Sequence, residues 1–141
     1  MKLVALIISL VSAGSVLQEK LVGGNTGFNC NPSLYIYNVT KFVTSPWPPV
    51  KNEWVSLGMN GTMTQNVSLK GLGIYVQLNG ANLYQETIPE DGNYNAGQYY
   101  ALNFKAYFPS IIPNGKYQVD TKLINTAGNP LNCWAVTFTM A

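Results

Sequence analysis

The sequence predicts an all-β chain folded as an immunoglobulin-like β-sandwich of two antiparallel sheets with about seven strands. Three observations carry that expectation. Apolar and polar residues alternate with a period of two in short segments along the chain. Gly, Pro, Asn and Asp cluster between those segments, where a chain must turn. After the first fifteen residues no segment shows the 3.6-residue period of an amphipathic helix. Short alternating strands separated by turn signals are the pattern of a two-sheet sandwich, and 141 residues suffice for one domain with a core of its own.

Taken in order, the chain begins MKLVALIISLVSAGS, with one cation (Lys2), an apolar run over 3–11 and then small residues. This is the pattern of a secretory signal over 1–15, and the run is too short for the roughly 20 residues that span a bilayer. The mature domain is expected over 16–141. In YIYNVTKF (35–42) the apolar residues are mixed between the two phases. EWVSLGMNG (53–61) is cleaner, with Val55, Leu57 and Met59 in one phase, and GIYVQLN (73–79) sets Ile74, Val76 and Leu78 opposite Tyr75, Gln77 and Asn79. A short segment over 82–88 follows the Asn79-Gly80 turn, and PEDGNYNAG is expected as a surface loop because every second or third residue is a turn former. QYYALNFKAYF (98–108) places Tyr100, Leu102, Phe104 and Ala106 together, KYQVDTKLI (116–124) places Tyr117, Val119 and Leu123, and the last strand places Trp134, Val136, Phe138 and Met140.

Composition excludes several kinds of chemistry. The chain has no histidine and no arginine, and Lys+Arg 8 against Asp+Glu 6 makes a net charge of only +2. That field is too weak to hold a nucleic acid backbone. Without histidine there is no histidine-based triad and no imidazole metal site. Among the acids, Glu90 and Asp91 sit side by side in a turn-rich stretch, where a solvated surface explains them better than a paired catalytic site. The chain is therefore expected not to be an enzyme and to need no cofactor or metal.

Two cysteines in a secreted chain allow one intramolecular bridge, Cys30 with Cys133, unless both stay free. Three sequons, at Asn38, Asn60 and Asn66, are N-glycosylation candidates, in numbers that chance alone would nearly supply.

The order of pieces is informative. Cys30 precedes a strand; SPWPPVKNEWVSLGMNGTMTQNV (45–67), IIPNGKYQV (111–119) and GNPLNCW (128–134) follow. This arrangement resembles the ML (myeloid-differentiation-protein-related lipid-recognition) family. Within it, the chain looks most like the phosphatidylglycerol/phosphatidylinositol transfer proteins and the soluble Niemann-Pick type C sterol carrier. The resemblance implies two sheets enclosing an apolar cavity that holds a single sterol or phospholipid and transfers it between membranes or to a protein acceptor in a membrane. It also implies a monomer that touches membranes transiently, secreted or resident in the lumen of an endosome, lysosome or vacuole. Its first-to-last cysteine pairing maps onto Cys30 and Cys133, whereas the family's usual further disulfides have no counterpart here.

Strand phase nominates Val55, Leu57, Ile74, Val76, Tyr100, Leu102, Phe104, Tyr117, Val119, Trp134, Val136 and Phe138 as inward residues that line the lipid site or fill the core. Similarity to the sterol carrier singles out Phe104 and Phe108 in the lining and Tyr84 at the mouth. That mouth is expected between the segments 84–92 and 107–115, with Phe108, Ile111 and Ile112 as an apolar tip or plug. On the last strand, Cys133 is expected to face away from the cavity and Trp134 into it. The alternative is a secreted immunoglobulin-like interaction module with a filled core and no transfer activity. Cavity volume separates the two, since a hollow of several hundred Å³ favours the carrier.

Overall fold

The computed structural model describes residues 25–141 and, as backbone, residues 9–14. Residues 15 and 16, where the expected leader meets the mature domain, lie outside the described residues. Nine strands are formed: β1 (Ser9–Gly14), β2 (Phe28–Asn29), β3 (Tyr37–Ser45), β4 (Glu53–Met63), β5 (Val67–Leu78), β6 (Ala81–Tyr94), β7 (Tyr99–Phe108), β8 (Gly115–Asn125) and β9 (Trp134–Met140). They make a four-stranded sheet in the order β1-β7-β4-β3 and a five-stranded sheet in the order β2-β9-β8-β5-β6. All pairings are antiparallel, and the seven long strands β3 to β9 are the sandwich that the alternation predicts. Among the described residues there is no helix.

Period two turns into burial because neighbouring residues of a strand point to opposite faces. Val55, Leu57 and Met59 of β4 meet Leu72, Ile74 and Val76 of β5 as buried residues of one core, with Leu102 and Phe104 of β7 and Val119 and Leu123 of β8. The mixed phases over 35–42 have a physical cause. The β3–β4 register shifts between Val39 and Lys41, so a bulge at Thr40 reverses the alternation and both Tyr37 and Phe42 point inward.

PEDGNYNAG is not a surface loop. Strand β6 runs through it, pairing Gly92, Asn93 and Tyr94 with Leu69, Ser68 and Val67, and the chain turns only at 95–98, closed by the Gln98 amide on the Asn95 carbonyl (2.9 Å). Loop-like composition and edge-strand composition coincide, because β6 is the outer strand of its sheet and most of its residues face water. The ladder to β5 satisfies the backbone and overrides the local turn preference.

The N-terminal segment closes one side of the sandwich. Cys30 and Cys133 form a disulfide, the Cys30 amide bonds the Cys133 carbonyl (3.0 Å), and the Trp134 indole N–H donates to the Thr26 carbonyl (2.7 Å). Gly27, at φ +88°, lies so close to β9 that a Cβ there would come within 2.1 Å of the Ala135 carbonyl oxygen. This cover explains why Cys133 and Ala135, in the outward phase of β9, are nonetheless buried. The bridge spans a sequence separation of 103, so the chain-entropy argument assigns it about 4.7 kcal/mol. A Cys30→Ser/Cys133→Ser variant is expected to lose about 2–5 kcal/mol, read as a lower urea midpoint; an unchanged midpoint would show that the bridge adds nothing.

Candidate functional site

An apolar hollow lies between the two sheets. The four-stranded sheet contributes Val55 and Leu57 from β4 with Phe104, Ala106 and Phe108 from β7; the five-stranded sheet contributes Ile74, Val119, Thr121, Val136 and Phe138. Trp47, from the proline-rich turn before β4, completes the lining. Eight of the nominated residues thus converge: Val55, Leu57, Ile74, Phe104, Phe108, Val119, Val136 and Phe138. The lining contains no charged side chain. Its one hydroxyl, on Thr121, donates to the Trp134 carbonyl (3.1 Å) and so presents no free polar atom.

The other six nominees lie elsewhere. Val76 and Leu102 are buried in the continuous core beside the hollow. Trp134 points inward as expected but is taken up by Phe42, on which it stacks at 5.9 Å. Tyr117 stacks on Phe138 without lining the hollow itself, and Tyr100 joins a cluster at the far end. Tyr84 belongs to β6. The segment 84–92 is a paired edge strand, with Tyr84 opposite the buried Val76 of β5 and outside the lining of the hollow. Three lining residues escaped the sequence argument. Ala106 shares the phase of Phe104 but is small; Thr121 shares the phase of Val119 but is polar; Trp47 sits in a turn, where period carries no information.

In this conformation the hollow measures about 30 Å³. Sites for small-molecule ligands run to several hundred Å³, so the cavity expected from the sequence is present in place and chemistry but closed in size. Aromatic rings close one end. Phe138 meets Trp47 edge-on at 5.4 Å, Phe108 edge-on at 5.5 Å and Tyr117 in parallel stacking at 5.3 Å. The Tyr117 hydroxyl donates to the Pro113 carbonyl (2.6 Å), and Lys51 donates to Asn114 (2.5 Å), so the turns over 46–52 and 109–114 are tied to each other and to the rings. The expected apolar tip is divided between roles: Phe108 and Ile112 are buried, whereas Ile111 is 56% exposed.

At the opposite end, Tyr100 meets Tyr37 and Tyr94 edge-on at 5.7 and 5.0 Å. Its hydroxyl donates to Glu90 (2.9 Å), while the Tyr37 hydroxyl donates to the Tyr100 carbonyl (2.8 Å). Tyr84 donates to the Glu86 carboxylate on the same strand. Near the disulfide, Asp120 lies within 4.8 Å of both sulfurs, but the sulfurs are bonded to each other, so that trio offers a cation one carboxylate and no thiolate.

Burial raises the pKa of the Tyr37, Tyr94, Tyr100 and Tyr117 phenols. It also raises that of Tyr84, where the Glu86 hydrogen bond and charge add to the effect, up to about 12. A raised phenol pKa means that folding favours the neutral form. This stabilisation is whole below pH 10, the unfolded value, and is lost as pH climbs through the folded value. The protein is expected to lose stability between pH 10 and about 12, with Tyr84→Phe weakening that alkaline loss; an alkaline limb that Tyr84→Phe leaves unaltered would remove this pair from the account.

Comparisons with known proteins agree with this architecture. A family model described as the ML domain matches residues 25–140. A candidate phosphatidylglycerol/phosphatidylinositol transfer protein of Dictyostelium discoideum is 26% identical over 123 residues, covering 79% of this chain and 80% of the relative. A second from the same organism is 25% identical over 130 residues, covering 83% and 87%. Among solved structures, a Niemann-Pick type C2 protein from the Japanese carpenter ant superposes with a TM-score of 0.67 at 8% identity, covering 82% of this chain and 99% of that one; at that identity it speaks to the fold alone. With its sandwich, its apolar interior and a family match across nearly all of the described domain, the chain belongs to the ML-domain family, whose members bind or transfer lipids and are not enzymes.

Proposed function

We propose that the mature chain holds one sterol or phospholipid between its two sheets and carries it between membranes or to a membrane-protein acceptor. Membership of the family supplies the lipid class, and one observation supports the location: the hollow between the sheets is lined by apolar side chains drawn from both of them. A ligand enters by displacing the rings around Phe138 and parting the sheets. Burying about 400 Å² of apolar ligand surface returns about 10 kcal/mol before the costs of association and opening are subtracted. No charged anchor is needed.

The ring-closed end is also the end suited to a membrane. Val50, Trp54 and Ile111 are exposed there, with Trp54 packed against Tyr107 at 5.2 Å. Lys51, Lys105 and Lys116 lie on the neighbouring turns and strand ends. Aromatic rings and lysines together suit the boundary between acyl chains and anionic headgroups. In this proposal the leader 1–15 is removed during secretion, which leaves β7 as the free edge where β1 had paired. The monomeric product resides outside the cell or in an endolysosomal lumen, with glycans on Asn38, Asn60 and Asn66.

The small volume of the hollow favours a second reading, an interaction module that never opens. Lipid extraction separates the two. Protein purified from its source is expected to carry lipid in native mass spectra and to extract fluorescent sterol or phospholipid from vesicles. Phe104→Ala and Phe108→Asp are each expected to weaken binding about tenfold, or about 1.4 kcal/mol. A protein that carries no lipid and extracts neither probe would overturn the carrier reading in favour of the module.

A further inference from the structure

Two short turns hold the sheets together at the end of the sandwich opposite Phe138. Residues 64–66 carry the chain from β4 in the four-stranded sheet to β5 in the five-stranded one, and residues 95–98 carry it back from β6 to β7. The turns are bonded to each other. The Met63 amide donates to the Gln98 carbonyl (2.9 Å), the Gly97 amide to the Met63 carbonyl (2.6 Å) and the Ala96 amide to the Asn66 side chain (2.9 Å). Among the described residues, the ring-closed end has one connection between the sheets, the longer segment 109–114. In the carrier reading, a sandwich joined in this way opens at the rings and hinges at the two turns.

The inward side chains change character between the rings and the hinge. On β7, Phe108, Ala106 and Phe104 line the hollow, and Leu102 continues the core with Met59, Leu72 and Leu123. Tyr100 comes next, buried, and is the first inward residue along that strand with a polar side-chain atom. Its hydroxyl crosses to Glu90 of the other sheet (2.9 Å), its ring lies edge-on between Tyr37 and Tyr94, and its carbonyl accepts the Tyr37 hydroxyl (2.8 Å). Glu90 sits in a bulge: between the Leu69–Gly92 and Gly71–Pro89 pairs, Glu90 and Asp91 of β6 face Lys70 alone. Burial and the Glu90 charge raise the Tyr100 phenol pKa, so the hydroxyl keeps the proton that it donates.

A hydrocarbon tail advancing from the rings first meets Leu102 and Met59, apolar side chains that can be pushed aside, the thioether most readily. It then meets a hydrogen-bonded pair. Parting Tyr100 from Glu90 would strand a buried hydroxyl and take a donor from the carboxylate, and a tail offers neither group a substitute. We propose that Tyr100 and Glu90 form the stop at the bottom of the lipid site and set the longest acyl chain it accepts, an inference that rests on the carrier reading. The dimensions agree. Leu102 and Phe108 both lie on β7, six positions and about 20 Å apart in an extended strand. One leaflet's acyl chain spans about 15 Å, half of the bilayer's hydrocarbon core. A chain of ordinary membrane length therefore ends short of Tyr100, and a markedly longer one reaches it.

The test offers the secreted chain phosphatidylcholine vesicles that contain dehydroergosterol and equal amounts of dilauroyl-, dipalmitoyl- and dibehenoyl-phosphatidylglycerol, and reads the extracted lipids by mass spectrometry. The dibehenoyl lipid is expected at about a tenth of the dipalmitoyl one. Tyr100→Phe/Glu90→Leu exchanges both polar partners for apolar groups of similar shape, which spares the fold, and is expected to raise that ratio about fivefold. Tyr100→Phe alone keeps the ring contacts and is expected to raise it about twofold. A merely structural role would lower all three phospholipids together and leave the ratio unaltered. An unaltered ratio in both variants, equal extraction of the three lengths by the unsubstituted chain, or extraction of sterol with none of the three, would each overturn the stop and leave the carrier reading in place. Extraction of no lipid at all overturns both.

Discussion

Exclusion of polar groups from the space between the sheets is the constraint on which the rest of this structure depends. The buried polar residues among those described are Thr121 and Asn132, and each spends its side chain on a neighbouring backbone: Thr121 on the Trp134 carbonyl, Asn132 on the Leu123 amide. The Asn132 amide nitrogen is the one buried side-chain atom among them without a partner, and the structure offers no account of it. Apart from the Tyr100–Glu90 hydrogen bond at one border, the sheets are held together by packing and by the removal of apolar surface from water. Such an interface can part and close again without leaving a charge or an amide stranded. A core tied by buried ion pairs would meet a steep cost on opening.

The sandwich is not equally fixed along its borders. On the β2–β9 side, the disulfide, the Trp134–Thr26 hydrogen bond and the Phe42–Trp134 stack hold the N-terminal segment and β3 against β9. On the β6–β7 side, Glu90 receives the Tyr100 hydroxyl across the gap between the sheets. The end occupied by Trp47, Phe108 and Phe138 is held by ring contacts on two turns and by the Tyr117–Pro113 hydrogen bond. Aromatic contacts of this kind are individually worth about 0.5–1.5 kcal/mol, less than the bridge on the opposite border. In the proposed opening, the ring-closed end is also where the exposed Val50, Trp54 and Ile111 lie. The proposed access at one end is compatible with stability at one border because different interactions supply them.

Much of the site was legible from period alone. Val55, Leu57, Ile74, Phe104, Val119, Val136 and Phe138 all face the hollow because a strand buried on one face must carry its apolar residues two apart. Period misleads where it is broken or ambiguous. The bulge at Thr40 scrambles β3, an edge strand such as β6 carries the polar residues of a loop, and Trp47 lies in a turn. Phase also separates inside from outside without saying which inside residues meet one another. Trp134 and Tyr100 share the inward phase with Phe138, yet one stacks on Phe42 and the other joins a tyrosine cluster.

By itself the amino-acid sequence determined the class of fold, the face that the regularly alternating strands bury, the one bridge that two cysteines allow and the absence of histidine chemistry, since all of these follow from local alternation and composition. Only the tertiary structure decided which buried residues surround the hollow, that a ring cluster centred on Phe138 closes one end of it, and that its resting volume is about 30 Å³. Those properties depend on how side chains from β4, β5, β7, β8 and β9 meet across two sheets. No stretch of sequence contains that distance.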